Sequence, residues 1–200
     1  MKKIKQYYTL LRKSIIIKII KRKVNFSDVS LISMNCIGGV LYHDIESKFL
    51  SPTVNLFFTA PDFIKFVNNI DYYLSLTPMV HTSEDYPIGV LDDIMIHFMH
   101  YNSCEDALSK WEQRKKRINK DRLFVIMVEQ NGFTNKEFEQ FLNIKYPKLL
   151  FTRSTEYECA DSLYFPRFRK KNQLPDIIPG RKMYYKFRLI KAINNAYGKN

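Results

Sequence analysis

The sequence predicts a three-layer α/β domain, Rossmann-like in its general build, with a mostly parallel sheet. Short apolar runs typical of strands alternate with helical patterns of about 10 to 17 residues, as in layered α/β proteins. One of these runs is apolar almost throughout, which is expected of a strand covered on both faces. The chain has 200 residues, 46% of them hydrophobic and 26% charged. This composition is typical of a single globular domain with a substantial core.

The first half of the chain predicts two strands separated by a turn, and then a helix. Asp28–Met34 is a β-type run, and Asn35–Gly39 after it predicts a turn followed by one or two helical turns. Pro52–Phe58 predicts a second strand. Pro61–Leu74 predicts a helix that begins with a proline. Proline is favoured in the first helical turn, because the N–H that it lacks would have no helical partner there. Two further strand candidates follow, Tyr86–Leu91 and Ile94–His100.

The second half of the chain predicts two capped helices and two strands. Ser103–Asn119 and Thr134–Asn143 each begin with a hydroxyl residue that an acidic residue follows three positions later, which resembles a capping box. Arg122–Val128 is the nearly continuous apolar run and predicts a central strand. Lys148–Thr152 predicts a further strand. Because ligands of parallel sheets usually bind beyond the carboxyl ends of the strands, we expect the functional site at that edge.

Charge divides the chain into a mildly acidic body and two basic ends. Residues 1–23 hold nine Lys or Arg and no acid, and residues 165–200 hold ten with one acid, so each end carries +9. Residues 24–164 carry −6, and the whole chain carries +12. The sequence therefore predicts a basic amphipathic helix at the N-terminus, an α/β domain, and an irregular basic C-terminal arm over these three ranges. Glu156–Pro179 is expected to be irregular, with a last helix over Tyr184–Asn195.

The N-terminal helix has one apolar face among its basic residues. Apolar side chains recur there at spacings of three and four, namely Ile4, Tyr7, Tyr8, Leu11, Ile15 and Ile19. Such a helix can lie in the interface of an anionic bilayer, with its lysines attracted to the lipid headgroups. The alternative is a helix that docks on the domain and leaves its lysines in water. Nucleic acid is the third candidate, and the sequence argues against it because no nucleic-acid-binding module accompanies the basic ends.

The absence of targeting signals and the pattern of cysteines indicate the kind of compartment in which the protein is expected. No run approaches the roughly 20 apolar residues that a membrane-spanning helix needs. The N-terminus lacks the small-residue cleavage site of a secretory signal. The chain has three cysteines and no CxxC pair, which argues against a disulfide framework and against a structural metal site. A reducing compartment is the simpler interpretation.

The first concentration of chemically active residues follows the first predicted strand. The motif S-M-N-C-I-G-G supplies a hydroxyl from Ser33, an amide from Asn35 and a potential nucleophile from Cys36. The adjacent Gly38 and Gly39 would permit a turn that brings backbone N–H groups close to a ligand. The alternative is a tight turn with a buried cysteine that only packs, because cysteine is among the most buried residue types.

The second concentration lies in and before the strand Ile94–His100. Side chains alternate between the two faces of a strand, so His97 and His100 point opposite ways, which argues against a two-histidine metal site. His97 near a pocket with Asp93 could act as a general acid or base. The alternatives are a hydrogen-bonded structural histidine and an acidic residue in a strand-end turn.

The third concentration is the basic run in the helix Ser103–Asn119. Arg114 to Arg117 span one helical turn and cannot all face the core. A solvated helix face is one interpretation of this run. The other is an edge that binds phosphate through Arg114 and Arg117, because arginine pairs well with pyrophosphate oxygens.

Five motifs in chain order resemble the bacterial exopolysaccharide and capsule biosynthesis family known as domain of unknown function 1919. They are S-x-N-C-x-G-G with a following Tyr42, S-P-T-V-N-L-F-F with D-F-I-K-F, Y-P-I-G with D-I-M-I-H-F-M-H-Y, K-W-E-Q-R-K-K-R-I-N, and R-L-F-V. The resemblance covers Val29–Val128 closely and continues more loosely to about Phe165. Met34 and Ile37 depart from the Asn and Trp typical of the family's first motif. Members are often labelled as polysaccharide biosynthesis proteins and sometimes as acetyltransferases.

The resemblance implies a transferase in capsular or exopolysaccharide synthesis, and the residues favour acyl transfer to a sugar hydroxyl. Cys36 or His97 would act as nucleophile or base, and N–H groups around Gly38 and Gly39 would hold an oxyanion. The donor would be an acyl-CoA. One alternative is a glycosyltransferase using a sugar nucleotide, with Arg114, Arg117 and Asp93 as its contacts. Another is a non-catalytic partner of the assembly machinery.

The resemblance also implies where the protein works and what it meets. The expected substrate is a lipid-linked or soluble saccharide. The expected surface is the anionic inner face of the bacterial plasma membrane, reached through both basic ends. The predicted location is therefore cytoplasmic and peripheral to that membrane.

Overall fold

A parallel four-stranded sheet lies at the centre of the structure, a computed structural model that describes residues 15, 17–83, 85–175 and 187–199. In spatial order its strands are β1 (Ser30–Ser33), β5 (Leu123–Val128), β6 (Lys148–Thr152) and β7 (Ser162–Tyr164). All three pairings between them are parallel. A smaller antiparallel sheet has the order β2 (Met79–His81), β3 (Ile88–Leu91) and β4 (Ile94–His97).

Helices cover both faces of the parallel sheet. They are α1 (Ile37–Asp44), α2 (Ala60–Asn68), α3 (Ile70–Ser75), α4 (Cys104–Lys115), α5 (Asn135–Leu142) and α6 (Arg188–Tyr197). Residues 17–23 are also helical, and three single 3-10 turns lie at Lys120–Arg122, Thr155–Tyr157 and Pro166–Phe168.

The side chains of the parallel strands alternate between two apolar layers. In β1, Leu31 packs in the layer that contains α1 and α6, whereas Ile32 packs in the layer that contains α2, α4 and the small sheet. All six residues of β5 are buried, and they divide between the layers in the same way. This arrangement confirms the predicted three-layer α/β fold with a mostly parallel sheet, and it confirms that the continuous apolar run is a central strand.

Three local predictions are confirmed to within one residue at their starts, although α4 ends four residues before the predicted Asn119. Strand β6 has the predicted bounds. Helix α5 begins with a complete capping box, in which the Thr134 N–H donates to Glu137 Oε2 at 3.0 Å while Thr134 Oγ1 accepts from the first turn. Helix α4 begins where Ser103 Oγ accepts from the Asp106 N–H at 3.1 Å. Local hydrogen bonds thus set where these helices begin.

The prediction of a strand over Pro52–Phe58 is wrong. Only Phe57 forms a β-bridge, with His97 at the end of β4. Asn55 has a positive φ of 65°, so the chain turns in the middle of the segment. Its residues instead satisfy the open edge of β1 with side chains, because Thr53 Oγ1 accepts from the Ser33 N–H. We call residues 51–58 the edge loop.

The prediction of a turn over Asn35–Gly39 is also wrong, because α1 begins at Ile37 and contains both glycines. The structure shows a different reason for glycine here. A Cβ atom at Gly38 would lie 3.0 Å from the Ser33 Cβ, and one at Gly39 would lie 3.0 Å from the Val54 Cγ1. The two glycines therefore let the first turn of α1 approach β1 and the edge loop closely.

The predicted helix Pro61–Leu74 is divided into α2 and α3. The division falls at Asn69, whose φ of −127° and ψ of 39° are not helical. The two predicted strands after it form the hairpin β3–β4, with Asp92 at a positive φ of 56° in its turn. The alternation predicted for β4 is confirmed, since Ile94 and Ile96 are buried while Met95 is exposed. The short β2 was not predicted, and neither was β7, which lies within the segment Glu156–Pro179 that was expected to be irregular.

Both basic ends pack on the same body. Ile20, Leu174, Leu189, Ile190 and Ile193 are buried in the apolar layer that contains α1. Side-chain and backbone hydrogen bonds also join residues 23–25 to residues 194–199. The helix predicted over Tyr184–Asn195 is present as α6, although residues 176–186 lie outside the described part of the chain, as do residues 1–14 of the predicted N-terminal helix.

Candidate functional site

A cleft of about 160 Å³ lies beyond the carboxyl ends of β1 and β5. The chain leaves β1 through Met34 and enters the cleft at Asn35 and Cys36, and it leaves β5 through Glu129 and enters at Gln130. Because β1 and β5 run parallel, both ends meet at the same edge of the sheet. This is the edge where parallel sheets usually bind their ligands, and the position agrees with the expectation from the sequence.

Four carboxamides, a thiol and two apolar side chains line the cleft. The carboxamides belong to Asn35, Gln130, Asn131 and Gln173, the thiol to Cys36, and the apolar side chains to Phe57 and Met99. No charged side chain is among these lining residues. The cleft is therefore polar and uncharged on one side and apolar on the other.

Local hydrogen bonds fix the orientation of Asn35. Its Oδ1 accepts from the Ile37 N–H at 3.1 Å, so the side chain closes the start of α1. Its Nδ2 is buried and has no hydrogen-bond partner within the described part of the chain, and the same holds for Gln130 Oε1. Two of the lining residues thus carry a buried polar atom without a partner in the described part of the chain, a donor on Asn35 and an acceptor on Gln130.

Cys36 is the residue directly before the first turn of α1. Its Sγ lies 4.0 Å from the Leu56 carbonyl oxygen, and its own carbonyl accepts from the Val40 N–H at 2.9 Å. The N–H groups of Gly38 and Gly39 belong to the first helical turn, where the helix itself supplies no acceptor. A helix N-terminus favours negative charge close to it, so these N–H groups are placed to stabilise an oxyanion.

A buried polar pair lies behind Cys36. The Tyr101 hydroxyl donates to the Val54 carbonyl at 2.9 Å, and Arg114 Nη1 donates to the same carbonyl at 3.0 Å and to the Tyr101 hydroxyl. Burial raises the pKa of Tyr101 and Arg114 opposes that rise, while Cys36 adds a small increase. Arg114 is itself buried and stacks over Phe49, so its guanidinium faces inward and not toward solvent.

His97 lies next to the cleft without lining it. Its imidazole stacks on the Phe57 ring with the ring centroids 4.3 Å apart, and its Nδ1 is 3.5 Å from the Tyr86 hydroxyl. Burial lowers the pKa of His97, with Asp62 opposing that shift, so the neutral imidazole is favoured. Its Nε2 is buried, and no described residue forms a hydrogen bond with it.

Asp93 lies in the turn of the β3–β4 hairpin, where it makes an ion pair. Lys65 Nζ contacts Asp93 Oδ2 at 2.7 Å, and the Tyr73 hydroxyl donates to Oδ1 at 2.7 Å. The hydrogen bond from Lys65, followed by that from Tyr73, lowers the pKa of Asp93. The carboxylate is occupied by these partners and does not line the cleft.

The structure therefore brings together only part of the predicted site. Asn35 and Cys36 line the cleft, and Gly38 and Gly39 lie in the helical turn beside them. Ser33 is buried in β1 against that turn, and its Oγ has no hydrogen-bond partner among the described residues. The predicted residues His97, Asp93, Arg114 and Arg117 are not among the lining residues.

Five lining residues were not predicted from the sequence. Gln130 and Asn131 had a usable signal, because polar residues directly after a buried strand mark the carboxyl edge of the sheet. Asn131 has a positive φ of 51°, and its N–H donates to Gln173 Oε1 at 3.0 Å. Phe57, Met99 and Gln173 reach the cleft only through tertiary packing, and nothing in their local sequence indicates it.

Arg153 ties the C-terminal arm to the carboxyl edge of the sheet. Its Nη1 and Nη2 donate to the carbonyls of Arg169 and Asn172 at 3.3 and 3.0 Å. Its Nε lies 3.1 Å from the carboxylate of Glu129, which is buried and also accepts from the Thr152 hydroxyl at 2.6 Å. This contact holds the segment that delivers Gln173 to the cleft.

The fold and the cleft define an α/β protein with a candidate ligand site at the carboxyl edge of a parallel sheet. The chain belongs to the family described as a domain of unknown function, DUF1919, whose model matches residues 7–194. The match includes most of both basic ends and extends beyond the range that the five motifs cover. The family predicted from the five motifs is thereby confirmed.

A relative in Haemophilus influenzae, described as an uncharacterized protein, is 36% identical over 202 aligned residues. The alignment covers 97% of this chain and 98% of that relative. Similarity along the whole length indicates that the relative shares the complete domain.

The part of the chain that the structure describes has neither a membrane-spanning helix nor a metal-binding cluster. Within that part of the chain, no helix has both the length and the apolar character needed to span a membrane. The same residues contain no group of three or more His, Cys, Asp or Glu side chains arranged to hold a metal ion.

Proposed function

We propose that the protein is a transferase of bacterial capsular or exopolysaccharide synthesis that transfers an acyl group to a sugar hydroxyl in the cleft. One observation carries the proposal: the cleft combines four carboxamides, an aromatic ring and the Cys36 thiol at the start of a helix. The pathway comes from the family resemblance, and the reaction is inferred from the residues of the cleft.

The uncharged polar lining suits a saccharide. A carboxamide offers both donors and an acceptor, so it can pair with hydroxyl groups, which are also both donors and acceptors. Phe57 and Met99 supply an apolar surface for the C–H face of a sugar ring. Small-molecule sites commonly combine apolar walls with a few placed polar groups.

The proposed reaction uses Cys36 as the nucleophile. The thiolate attacks the carbonyl carbon of an acyl thioester donor such as an acyl-CoA, the carbon–sulfur bond of the donor breaks, and the donor leaves as its thiolate. A sugar hydroxyl then attacks the acyl-cysteine, forms an ester and returns the Cys36 thiolate as its proton passes to a base. The first-turn N–H groups of Gly38 and Gly39 would stabilise the oxyanion of each step.

His97 is the proposed base for the sugar hydroxyl. Burial lowers the pKa of His97, which favours the neutral imidazole, and no described residue forms a hydrogen bond with its Nε2. Phe57 lines the cleft and stacks on the imidazole, so His97 lies one side chain away from the cleft.

A glycosyltransferase remains the alternative, but the structure gives it less support. It would need charged contacts for a nucleotide diphosphate, and Arg114 is buried against Tyr101 and Phe49 while Asp93 pairs with Lys65. Arg117 is partly exposed in the turn after α4 but does not line the cleft. A non-catalytic partner would need no reactive group in the cleft.

Analysis of the polysaccharide from a deletion strain tests the proposal. We expect loss of an O-acyl group that the wild-type gene restores and that Cys36→Ala and Cys36→Ser do not. Cys104→Ala and Cys159→Ala serve as matched controls, because neither cysteine lines the cleft. A missing sugar would favour the glycosyltransferase. An unchanged repeat unit at lower yield would favour the non-catalytic partner, and full complementation by Cys36→Ala would remove Cys36 from the mechanism.

We also propose that the protein binds the anionic inner surface of the plasma membrane, as a peripheral cytoplasmic protein. Exposed basic residues lie on the two adjoining end segments, namely Lys18, Arg22, Lys23, Arg188, Lys191 and Lys199. Ile15 and Ile19 are 56% and 37% exposed beside them, whereas Ile20 packs into the core. The helix therefore docks through one side and presents basic and apolar residues on another.

Flotation with lipid vesicles tests the membrane proposal. Deleting residues 1–23 would remove Ile20 from the core, so Ile15→Ser/Ile19→Ser and Lys18→Glu/Lys191→Glu are better variants. We expect wild type to float with phosphatidylglycerol-containing vesicles and not with pure phosphatidylcholine, and we expect both variants to lose this binding. Lys136→Glu/Lys145→Glu, on exposed positions elsewhere, should bind as wild type. Equal recovery with both vesicle types, or competition by oligonucleotides, would contradict the proposal.

A further inference from the structure

Asn35 and Gln130, which line the cleft, each carry a buried polar atom. Asn35 is 3% exposed and Gln130 is 6% exposed, and both line the cleft. Asn35 Nδ2 is a donor and Gln130 Oε1 is an acceptor, and neither has a hydrogen-bond partner among the residues that the structure describes. A buried polar group without a partner is unfavourable, so a ligand that pairs with both atoms binds more tightly than one that pairs with neither.

The orientation of Asn35 is set by the protein and not by a ligand. Its Oδ1 is committed to the Ile37 N–H at 3.1 Å, at the start of α1. The Nδ2 donor of this lining residue therefore has a fixed direction, which is the kind of preorganisation that gives binding specificity. A ligand must present an acceptor to Asn35 and a donor to Gln130.

The apolar wall adds a third requirement. Phe57 and Met99 line the same cleft, and Phe57 is held by its stacking on His97. The ligand should therefore carry a small apolar group near its donor and acceptor. Since the lining residues carry no charge, the group should be neutral.

We propose that the saccharide bound in this cleft is an N-acetylamino sugar, recognised through its acetamido group. The acetamido carbonyl accepts from Asn35 Nδ2, the acetamido N–H donates to Gln130 Oε1, and the methyl group packs against Phe57 and Met99. This inference rests on the proposed function, because it presupposes that a saccharide occupies the cleft.

Other common sugar substituents fit this arrangement less well. A hydroxyl can pair with either polar atom but leaves the apolar wall uncovered. A carboxylate only accepts hydrogen bonds, so its oxygens would face Gln130 Oε1, and an ammonium group would leave Asn35 Nδ2 unpaired. The secondary amide with its methyl group satisfies all three features.

Ligand-observed NMR titrations test the inference with N-acetylglucosamine, N-acetylgalactosamine and N-acetylmannosamine, each against its parent hexose. We expect at least one N-acetyl sugar to bind about tenfold more tightly than its parent, which corresponds to about 1.4 kcal/mol. The acetyl methyl protons should show the strongest saturation transfer.

Two variants locate the preference. Asn35→Asp keeps the acceptor for the Ile37 N–H and removes the donor, and Gln130→Met removes the acceptor at similar volume. Each should bring the N-acetyl sugar to the affinity of its parent, while the thermal midpoint of unfolding shows that the variant is folded. Asn68→Asp, an exposed position on α2, is the matched control and should keep the preference.

The outcomes separate this inference from the function on which it rests. If sugars bind but each N-acetyl sugar binds no better than its parent, the inference is wrong and the saccharide site stands. If none of the six sugars binds, both are overturned. If Asn68→Asp also lost the preference for the N-acetyl sugar, the loss in Asn35→Asp would be an effect of added charge. That result would also overturn the inference.

Discussion

Thr53 Oγ1 accepts a hydrogen bond from the backbone N–H of Ser33 at 2.9 Å. The Thr53 side chain thus supplies the acceptor that a neighbouring strand would otherwise provide. Both residues are fully buried. Thr53 is held in turn by Ser51, whose Oγ lies 3.0 Å from Thr53 Oγ1. This contact satisfies the open edge of β1 directly before the residues that enter the cleft.

Removing that acceptor should destabilise the protein. Thr53→Val keeps the shape of the side chain and leaves the buried Ser33 N–H without a partner, so we expect the free energy of unfolding to fall by about 1–3 kcal/mol. Urea denaturation measures it. Thr77→Val is the matched control, since Thr77 is exposed, and should change stability by less than about 0.5 kcal/mol. Equal effects of the two variants would contradict the role of Thr53.

The close approach of Gly39 to Val54 predicts a coupled pair. Alanine in place of glycine inside a helix normally stabilises it by about 1 kcal/mol. Here the added Cβ would lie 3.0 Å from Val54 Cγ1, so we expect Gly39→Ala to destabilise the protein. Val54→Ala makes room for that Cβ, and the double variant should be about 1 kcal/mol more stable than the sum of the single effects predicts.

The matched control for this pair is Ser109→Ala on the exposed face of α4. It adds no buried atom, and its effect should simply add to that of Val54→Ala. Denaturation of all the variants gives the coupling free energies. Additive effects of Gly39→Ala and Val54→Ala would show that the approach of α1 is not limited by Val54.

Arg153 should control how firmly the C-terminal arm is held. Arg153→Met removes the two hydrogen bonds to the arm and leaves the Glu129 carboxylate buried without its cation, a change that costs about 3–5 kcal/mol. We expect amide hydrogen exchange to accelerate over residues 166–174. Adding Glu129→Gln should recover part of the stability, because the uncompensated charge is then absent. The exposed Arg167 offers the control Arg167→Met, which should leave exchange unchanged.

His97 predicts a loss of stability in mildly acidic solution. Burial lowers its pKa in the folded protein, so near the ordinary value of about 6.5 the unfolded chain binds more protons. The free energy of unfolding should therefore fall as pH decreases below about 6.5, by at most about 1.4 kcal/mol per pH unit from this group.

Urea denaturation at several pH values between about 5 and 7.5 tests this dependence. His97→Gln should make stability depend less on pH across that window, whereas His81→Gln, on an exposed position of β2, should not. An unchanged pH dependence in His97→Gln would assign the effect to other groups.

Elements with a local cause were predictable from the sequence. The bounds of β6 and the start of α5 depend on a short apolar run and on the capping residues Thr134 and Glu137, which are neighbours in the chain. Burial of β5 on both faces follows from its continuous apolar run. In each case the information that determines the element lies within it.

Elements whose role depends on a distant neighbour were not predictable. The edge loop has the β-rich composition of a strand, yet its Thr53 and Ser51 hydroxyls serve the edge of β1. Gly38 and Gly39 indicated a turn, but the close neighbours that require glycine are Ser33 and Val54. Only the packed structure shows these partners.

The residues of the candidate site also fall into those that the sequence predicted and those that it did not. Asn35 and Cys36 follow a strand directly, and that position was enough to select them. Gln173 reaches the cleft because the chain returns over the sheet edge more than forty residues after Asn131. Arg114 was expected at a phosphate-binding edge, and its burial follows from the contact with Val54, which lies sixty residues away in the chain.

The hydrogen bond from the Asn25 N–H to Asn194 Oδ1 joins residues 169 positions apart. During synthesis, β1 and α1 therefore leave the ribosome long before α6 can cover the apolar layer that they share. Until α6 has been synthesised, it cannot cover Leu31 and Phe124. The incomplete chain is therefore prone to aggregation. We expect a nascent chain arrested before residue 187 to be captured by cellular chaperones, and the complete chain to be released from them.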